Sequence, residues 1–336
     1  MRAVVYRKSL PVQDHESLLD AELPVPRPGR HDLLVKVEAV AVNPVDYKVR
    51  QNSDPGGEAK VLGWDAAGTV VAVGDAVERF RVGDEVFYAG AIDRSGSNAE
   101  YQVVDERIVG RKPSTLSFTE AAALPLTSLT AWEGLFERLG LREGAMEQRG
   151  ALLVTAAAGG VGAMVAQLAR ALTSLTVVGT ASRPESTDFA RRMGVNHVID
   201  HHHPLPAQLA EVVPGGVDYV FSTAGTDRNL AAYAEVLNPH GQIVAIDDFG
   251  AVEIGALKSK SISFHWELMF TRSLYRTPDQ VTQHHILTQI ARLVDAGILT
   301  TTATTDLGTI TAAHLREAHS VLESGKAIGK ITLTGF

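Results

Sequence analysis

The spacing of apolar positions divides this chain into a β-patterned front and a middle in which strands and helices alternate. Over the first 110 residues, apolar positions alternate or form short β-rich blocks: RAVVY (2–6), DLLVKVEAVAV (32–42), GTVVAVG (68–74), DEVFYAG (84–90) and AEYQVVD (99–105). Pro24, Pro26, Pro28 and Gly29 make a turn-rich spacer between the first two. The period lengthens at SFTEAAAL, where Ser117 and Glu120 stand at capping-box spacing. Pro125 interrupts, the helical period resumes through LTSLTAWEGLFERL to Gly140, and residues 142–150 read as an exposed connector.

From residue 151 short apolar runs recur at ALLVT, LTVVGTA (175–181), HVID (197–200), VDYVFSTA (217–224) and GQIVAID (241–247). A helix begun at Val161 separates the first pair, and ESTDFARRMG separates the second. That rhythm predicts a doubly wound parallel sheet with right-handed crossovers. A long helix is then expected from Pro278 to Ala296, with Thr277 as its cap and Gly297 as its stop. The tail GKAIGKITLTGF ends in a β-like segment.

The stretch ALLVTAAAGGVGAMVAQLAR, residues 151–170, carries the chemistry. Its uncharged run is nearly long enough to span a membrane, but it is mostly Ala and Gly, with the glycines gathered at one break. Leu152 to Val154 read as a buried strand, and positions 161, 164, 165, 168, 169 and 172 follow helical spacing. The turn between them fits Ala157-x-Gly159-x-x-Gly162, a dinucleotide fingerprint with Ala in first place. Ala158, Gly159, Gly160, Val161 and Gly162 would bring backbone amides and a helix N-terminus to a pyrophosphate. An NAD site usually puts an acid about twenty residues on, to bind the ribose 2′-hydroxyl. Here Ser182 and Arg183 stand instead, and an arginine accommodates the 2′-phosphate of NADPH. The nearest acid, Glu185, sits at N3 to Ser182 and reads as a capping partner.

Composition narrows the class. The N-terminus breaks its apolar run with Arg7 and Lys8, unlike a signal peptide. A net charge of −8 without a basic cluster argues against nucleic acid or an anionic membrane as partner. The chain has no cysteine, which excludes disulfides and thiolate metal ligands and makes a cytoplasmic address the expectation.

GWDAAGTVVAVG, VGDEV, SNAEYQVVDE, EAAALPLTSLTAW and AAAGGVG occur in order over nearly the whole chain. Together they resemble the medium-chain dehydrogenase/reductase superfamily, in its quinone oxidoreductase and zeta-crystallin-like branch. The resemblance implies an α/β protein: a GroES-like catalytic domain of residues 1–125 and 272–336 and a Rossmann NADPH-binding domain of residues 126–271, in a chain expected to form a homodimer. Zinc-dependent members place a Cys where Asn43 stands in NPVD, a His where Trp64 stands in GWD, and often a third ligand among Leu126, Thr127 and Ser128. An amide and an indole are not zinc ligands, so no metal is expected. Adjacent histidines at 201, 202 and 203 point to alternate faces and read as polar surface at 202 and 203. His201 matches a position beside the adenosine end of NADPH, and Thr130 one near the nicotinamide. Relatives often carry a lysine where Ser186 stands.

Without zinc, a developing oxyanion needs hydrogen-bond donors, or an acceptor that needs little help. The candidates are Asn43, Asp46 and Tyr47, although the pocket tyrosine of many quinone reductases falls where this chain has Lys48. Asp46 reads equally well as a loop-holding residue. Trp266, Met269 and Phe270 offer apolar walls or an oligomer seam. The expected activity is NADPH-dependent reduction of quinones or other conjugated carbonyls in a small-molecule substrate. The alternatives are an alcohol or aldehyde dehydrogenase, and a non-catalytic NADPH-binding sensor or structural protein.

Overall fold

The computed structural model describes residues 1–144 and 149–336; residues 145–148 of the connector expected at 142–150 lie outside the described residues. The chain divides into two compact units, Met1–Leu129 with Phe270–Phe336, and Thr130–Met269.

The first unit is built on the 11-residue strand Asp32–Val42. One of its edges takes strand Asp65–Val73, which in turn pairs with Glu85–Tyr88 and then Val109–Arg111. The other edge is shared. Tyr101–Asp105 pairs with its beginning and Lys330–Thr334 with its end, and Ala303–Asp306 lies outside the latter. A smaller sheet joins Leu19–Glu22, Arg2–Tyr6 and Lys60–Val61. Leu33, Val35, Ala39, Ala66, Ala67, Val70 and Val86 are fully buried, so the long strand is a core element. Ser117 and Glu120 close the expected capping box of helix Phe118–Ala122, through Ser117 N–H to Glu120 Oε2 at 2.9 Å.

The second unit holds a six-stranded, all-parallel sheet. Its order is His197–Ile199, Ser174–Thr180, Arg149–Val154, Val217–Ser222, Leu237–Ala245 and Ser263–Trp266. Strands of such a sheet are covered on both faces. Leu152, Leu153, Val154, Val177, Val178, Val220, Ile243 and Val244 show no exposed surface. Each such side chain contributes about 1.5–3 kcal/mol of burial. The uncharged run from Ala151 is strand and then helix Gly160–Leu172, and no described helix is long and apolar enough to cross a membrane.

Several boundaries differ from the sequence expectation. The helix expected from Pro278 runs Thr282–Asp295, because residues 278–281 form turns. Thr277 therefore does not cap it, while Gly297 at φ +70° does end it. Helices Leu205–Val212 and Thr226–Val236 and the edge strand Ser263–Trp266 carry no pattern that separated them beforehand. Met269 and Phe270 are core residues, with Phe270 edge-on to Trp64 at 6.2 Å. Trp266 alone of the three expected wall residues is exposed, stacked on Phe249 at 4.7 Å.

Helices Pro44–Asn52 and Ala312–Glu323 are joined by a buried polar contact: Arg50 Nε–H donates to His319 Nδ1 at 3.2 Å, and the guanidinium pairs with Glu323. Burial, reinforced by the Arg50 charge, depresses His319 from 6.5 to about 3. The folded protein therefore resists a proton that the unfolded chain accepts. Stability from this residue is full above the unfolded value and is lost as pH falls from 6.5 toward 3. Thermal midpoints measured between about pH 8 and about pH 5 should fall more steeply in the wild type than in His319→Gln, which keeps an acceptor for Arg50 without the titration.

Candidate functional site

Strand register decides what meets where Asp32–Val42 ends. Ala41 lies opposite Asp65 and Val42 opposite Ile331, so Asn43, Asp65 and Lys330 converge there. Asn43 is the N-cap of helix Pro44–Asn52, with proline at the first helical position, and its backbone N–H donates to Asp46 Oδ2 at 2.7 Å. Its side-chain Nδ2 donates to Asp65 Oδ2 at 2.8 Å and Ala41 O at 3.4 Å, while its Oδ1 accepts from Lys330 Nζ. Lys330 Nζ also lies 2.8 Å from Asp65 Oδ2 and 3.0 Å from Val42 O. Asp65 Oδ1 accepts the N–H of Leu126, in the first turn of helix Pro125–Trp132, at 2.8 Å.

Asn43, Asp46, Asp65 and Lys330 are all buried, none more than 3% exposed. Burial pushes Asp65 upward, opposed by the Lys330 ammonium and the Asn43 amide. Burial also pushes Asp46 up to about 7, against the Asn43 N–H and the Lys330 charge, and its Oδ1 has no partner. The structure thus brings Asn43 and Asp46 together, but not in the arrangement expected of a substrate-facing amide. Both N–H groups and the carbonyl of Asn43 are committed inside the protein. Tyr47 is different: it is half-buried, and its hydroxyl bonds to none of the described residues. Thr130 is buried in its helix. Asp65 and Lys330 were not singled out from sequence; only the acid following Trp64 hinted at the first.

In the second unit, the candidate pyrophosphate, 2′-phosphate and adenosine contacts lie beyond the carboxyl ends of strands. The sheet order reverses between Arg149–Val154 and Val217–Ser222, and such a switch point is where open parallel sheets bind ligands. The loop after Val154 sits there. Ala156 takes a left-handed φ of +46°, its N–H donates to Thr180 Oγ1 at 2.9 Å, and Gly159 N–H turns back to Ala156 O at 2.9 Å. A Cβ on Gly162 would lie 2.5 Å from Ala156 O, so only glycine packs there. A Cβ on Gly159 would meet only that oxygen, at 3.3 Å, a tight contact but a milder one than at Gly162. Gly160, Val161 and Gly162 form the first turn of helix Gly160–Leu172, whose amides have no preceding helical carbonyl. Ala158 is buried beneath the loop.

Because Thr180 and Ile199 are paired, the residues following their strands are neighbours. Ser182 Oγ lies 3.5 Å from His201 Nε2. Burial, then the neighbouring His202 charge, depresses His201 below the usual imidazole range, which favours its neutral form. Arg183 is the N-cap of helix Pro184–Arg192 and donates its N–H to Ser186 Oγ at 3.1 Å. The cap pairing expected of Ser182 with Glu185 is therefore corrected: Ser186 closes the turn and Glu185 is exposed. The backbone cradle and the Ser182–Arg183–His201 cluster fit a dinucleotide. His202 and His203 are exposed.

A zinc ion does not fit the residues present. The Asn43 amide is committed to Asp65 and Lys330, whose ammonium is the cation of this network. The Trp64 indole N–H donates to Ala91 O at 3.2 Å, and the Thr127 hydroxyl bonds Leu124 O at 3.0 Å. Among the described residues, no three His, Cys, Asp or Glu side chains are grouped to hold a metal.

A six-stranded parallel dinucleotide fold, joined in one chain to a β-rich unit with a buried carboxylate–ammonium network, defines a nicotinamide-dependent oxidoreductase. Residues 29–114 match the alcohol dehydrogenase GroES-like domain and residues 160–281 the zinc-binding dehydrogenase family. The chain belongs to the medium-chain dehydrogenase/reductase superfamily, in its quinone oxidoreductase-like branch. It is 37% identical over 336 residues to a zinc-type alcohol dehydrogenase-like protein of Staphylococcus epidermidis, covering 99% of both chains. A crystal structure from Rhizobium etli, provisionally named a zinc-dependent alcohol dehydrogenase, is 51% identical with a TM-score of 0.96, over 100% of this chain and 98% of the other. The quinone oxidoreductase of Pseudomonas syringae pv. Tomato DC3000 is 25% identical with a TM-score of 0.84, over 99% of each chain.

The donor chemistry leads to a direct expectation: metal analysis of purified protein should find no stoichiometric zinc, and a chelator should leave activity intact. One tightly held zinc per chain, with activity lost on its removal, contradicts this reading of the site. The two fingerprint glycines should separate in their effects. Gly162→Ala should lower the unfolding midpoint more than Gly159→Ala, whereas Gly159→Ala should weaken dinucleotide binding measured by fluorescence titration.

Proposed function

We propose that this protein uses NADPH to reduce quinones or other conjugated carbonyls. NADPH would supply the hydride. Gly159 to Gly162 would hold its pyrophosphate, and Ser182 and Arg183 its 2′-phosphate, with His201 beside the adenosine and Thr130 toward the nicotinamide. The observation that carries the choice of substrate is the donor set near Asn43. Its amide is locked into the Asp65–Lys330 network, whereas the half-buried Tyr47 hydroxyl of that helix is a hydrogen-bond donor that bonds to none of the described residues. A metal contributes several kcal/mol of charge stabilisation to a carbonyl, and a neutral hydroxyl supplies less. The substrate must then be activated by conjugation, as in a quinone or an enone, where hydride addition leaves an enolate-type anion. Tyr47 would donate a hydrogen bond to the oxygen on which that charge develops. Asn43 and Asp46 would hold the loop and helix that carry it.

Three measurements test this reading. NADPH oxidation should proceed with ortho- or para-quinones or enones well above any rate with simple alcohols; efficient alcohol oxidation with no quinone or enone turnover overturns it. Tyr47→Phe should lower kcat roughly 10²-fold at unchanged NADPH affinity, the cost of one donor aimed at a developing oxyanion. Arg183→Ala should weaken NADPH by roughly 1.5–3 kcal/mol while barely changing NADH, which lacks the 2′-phosphate. Equal weakening of both cofactors would assign Arg183 a structural role.

A further inference from the structure

The parallel sheet of the second unit carries a cation at its switch point that belongs to none of the motifs described above. Arg228 lies in the first turn of helix Thr226–Val236, the element that follows strand Val217–Ser222. That strand neighbours Arg149–Val154 on the side away from Ser174–Thr180. In strand order, Arg183 and Arg228 therefore flank the fingerprint loop from opposite sides. We propose that Arg228 holds the pyrophosphate of the dinucleotide, a contact common to NADPH and NADH. The assignment rests on the nucleotide reading above and adds to it a residue that sets how tightly either form is held.

The turn that carries Arg228 is tied to the fingerprint loop. Thr223 and Ala224 donate their N–H groups to Thr155 Oγ1 at 2.8 and 3.3 Å, and the Thr223 hydroxyl donates to Thr155 O at 2.7 Å. Gly225 follows as the N-cap, with a left-handed φ of +69°. A Cβ on Gly225 would lie 3.0 Å from Arg228 Nη2 and 3.5 Å from its Nε. The side chain thus folds back over the N-cap, as the tilt of helical side chains favours, toward the carboxyl ends of the strands.

The Arg228 side chain is exposed, and its guanidinium bonds to none of the described residues. The acids of the same turn are engaged elsewhere: Asp227 accepts the backbone N–H of Arg228 at 2.8 Å, and Asp247 accepts the N–H and hydroxyl of Thr226. The charge also reaches across the loop. His201 is depressed by burial, then by the His202 charge, and Arg183 and Arg228 both add to this against Asp200. Arg228 and His201 thus act on one stretch of the carboxyl edge, with the Gly159–Gly162 cradle between their strands, where a switch point receives a dinucleotide. A pyrophosphate diester carries two negative charges, and a helix N-terminus offers roughly half an elementary charge against them. In NADH, which has no 2′-phosphate, Arg183 has no phosphate of its own to meet, and Arg228 supplies the missing positive charge.

The test is isothermal titration of wild type and variants with NADPH, NADH and adenosine 2′-monophosphate, which has the 2′-phosphate but no pyrophosphate. Arg228→Gln should weaken NADPH and NADH alike, each about tenfold, and leave adenosine 2′-monophosphate unchanged. Arg228→Lys, which keeps the charge, should recover most of the loss. Added salt should weaken dinucleotide binding more steeply in wild type than in Arg228→Gln, a difference that a purely structural role does not produce. Arg183→Ala should show the complementary pattern, with NADPH and adenosine 2′-monophosphate weakened and NADH held. Unchanged dinucleotide binding in Arg228→Gln overturns this assignment alone. A loss that extends to adenosine 2′-monophosphate also overturns it, because the residue then serves the 2′-phosphate. Wild-type protein that binds neither dinucleotide overturns the nucleotide reading and this assignment with it.

Discussion

The arrangement of the β-rich unit depends on one buried ion pair. Lys330 and Asp65 meet at 2.8 Å with almost no solvent at either, and such a pair is costly to desolvate unless other groups complete it. Here they do. The ammonium is bonded by Asn43 Oδ1 and Val42 O, and the carboxylate by the Asn43 amide and the Leu126 N–H. Through these contacts a single carboxylate ties together the ends of two strands and the first turns of two helices. Removing either charge leaves the other stranded, which typically costs about 3–5 kcal/mol. The pair also explains why helix Pro44–Asn52 starts where it does, since its N-cap is one of the pair's ligands.

This network changes how the absence of metal-binding side chains is understood. At positions where zinc-dependent relatives carry ligands, Asn43, Trp64 and Thr127 bond to their own neighbours. They make a packed polar core in which a lysine supplies the positive charge. Arg183 caps helix Pro184–Arg192 with its backbone, its N–H donating to Ser186 Oγ.

Much of this was legible in the chain, and the reasons are physical. Short apolar runs alternating with helical spacing announce a parallel sheet, because its strands are buried on both faces. A Gly-x-x-Gly turn between strand and helix can be read because Gly162 has a steric requirement that no other residue meets. What escaped reading depends on tertiary register. Lys330 sits in a β-like tail and looks like a surface charge until the pairing of Ile331 with Val42 places it next to Asn43. Asn43 looked like a donor for substrate because sequence cannot show that its amide is already occupied. Edge strand Ser263–Trp266 escaped for another reason: four residues are too few to display a period.

The ion pair has a consequence for the order in which the chain is built. Lys330 is synthesised 265 residues after its partner Asp65. The unit that begins first therefore cannot neutralise its central carboxylate until late in translation. Residues 130–269 form a contiguous unit and have no such delay. A nascent chain would thus carry a finished nucleotide domain while strand Asp32–Val42 still shows an unpaired edge at its far end. Contacts of this separation are slow to close, and an open edge meanwhile invites association with other chains. Yield during expression, more than stability once folded, is where this topology makes its demand.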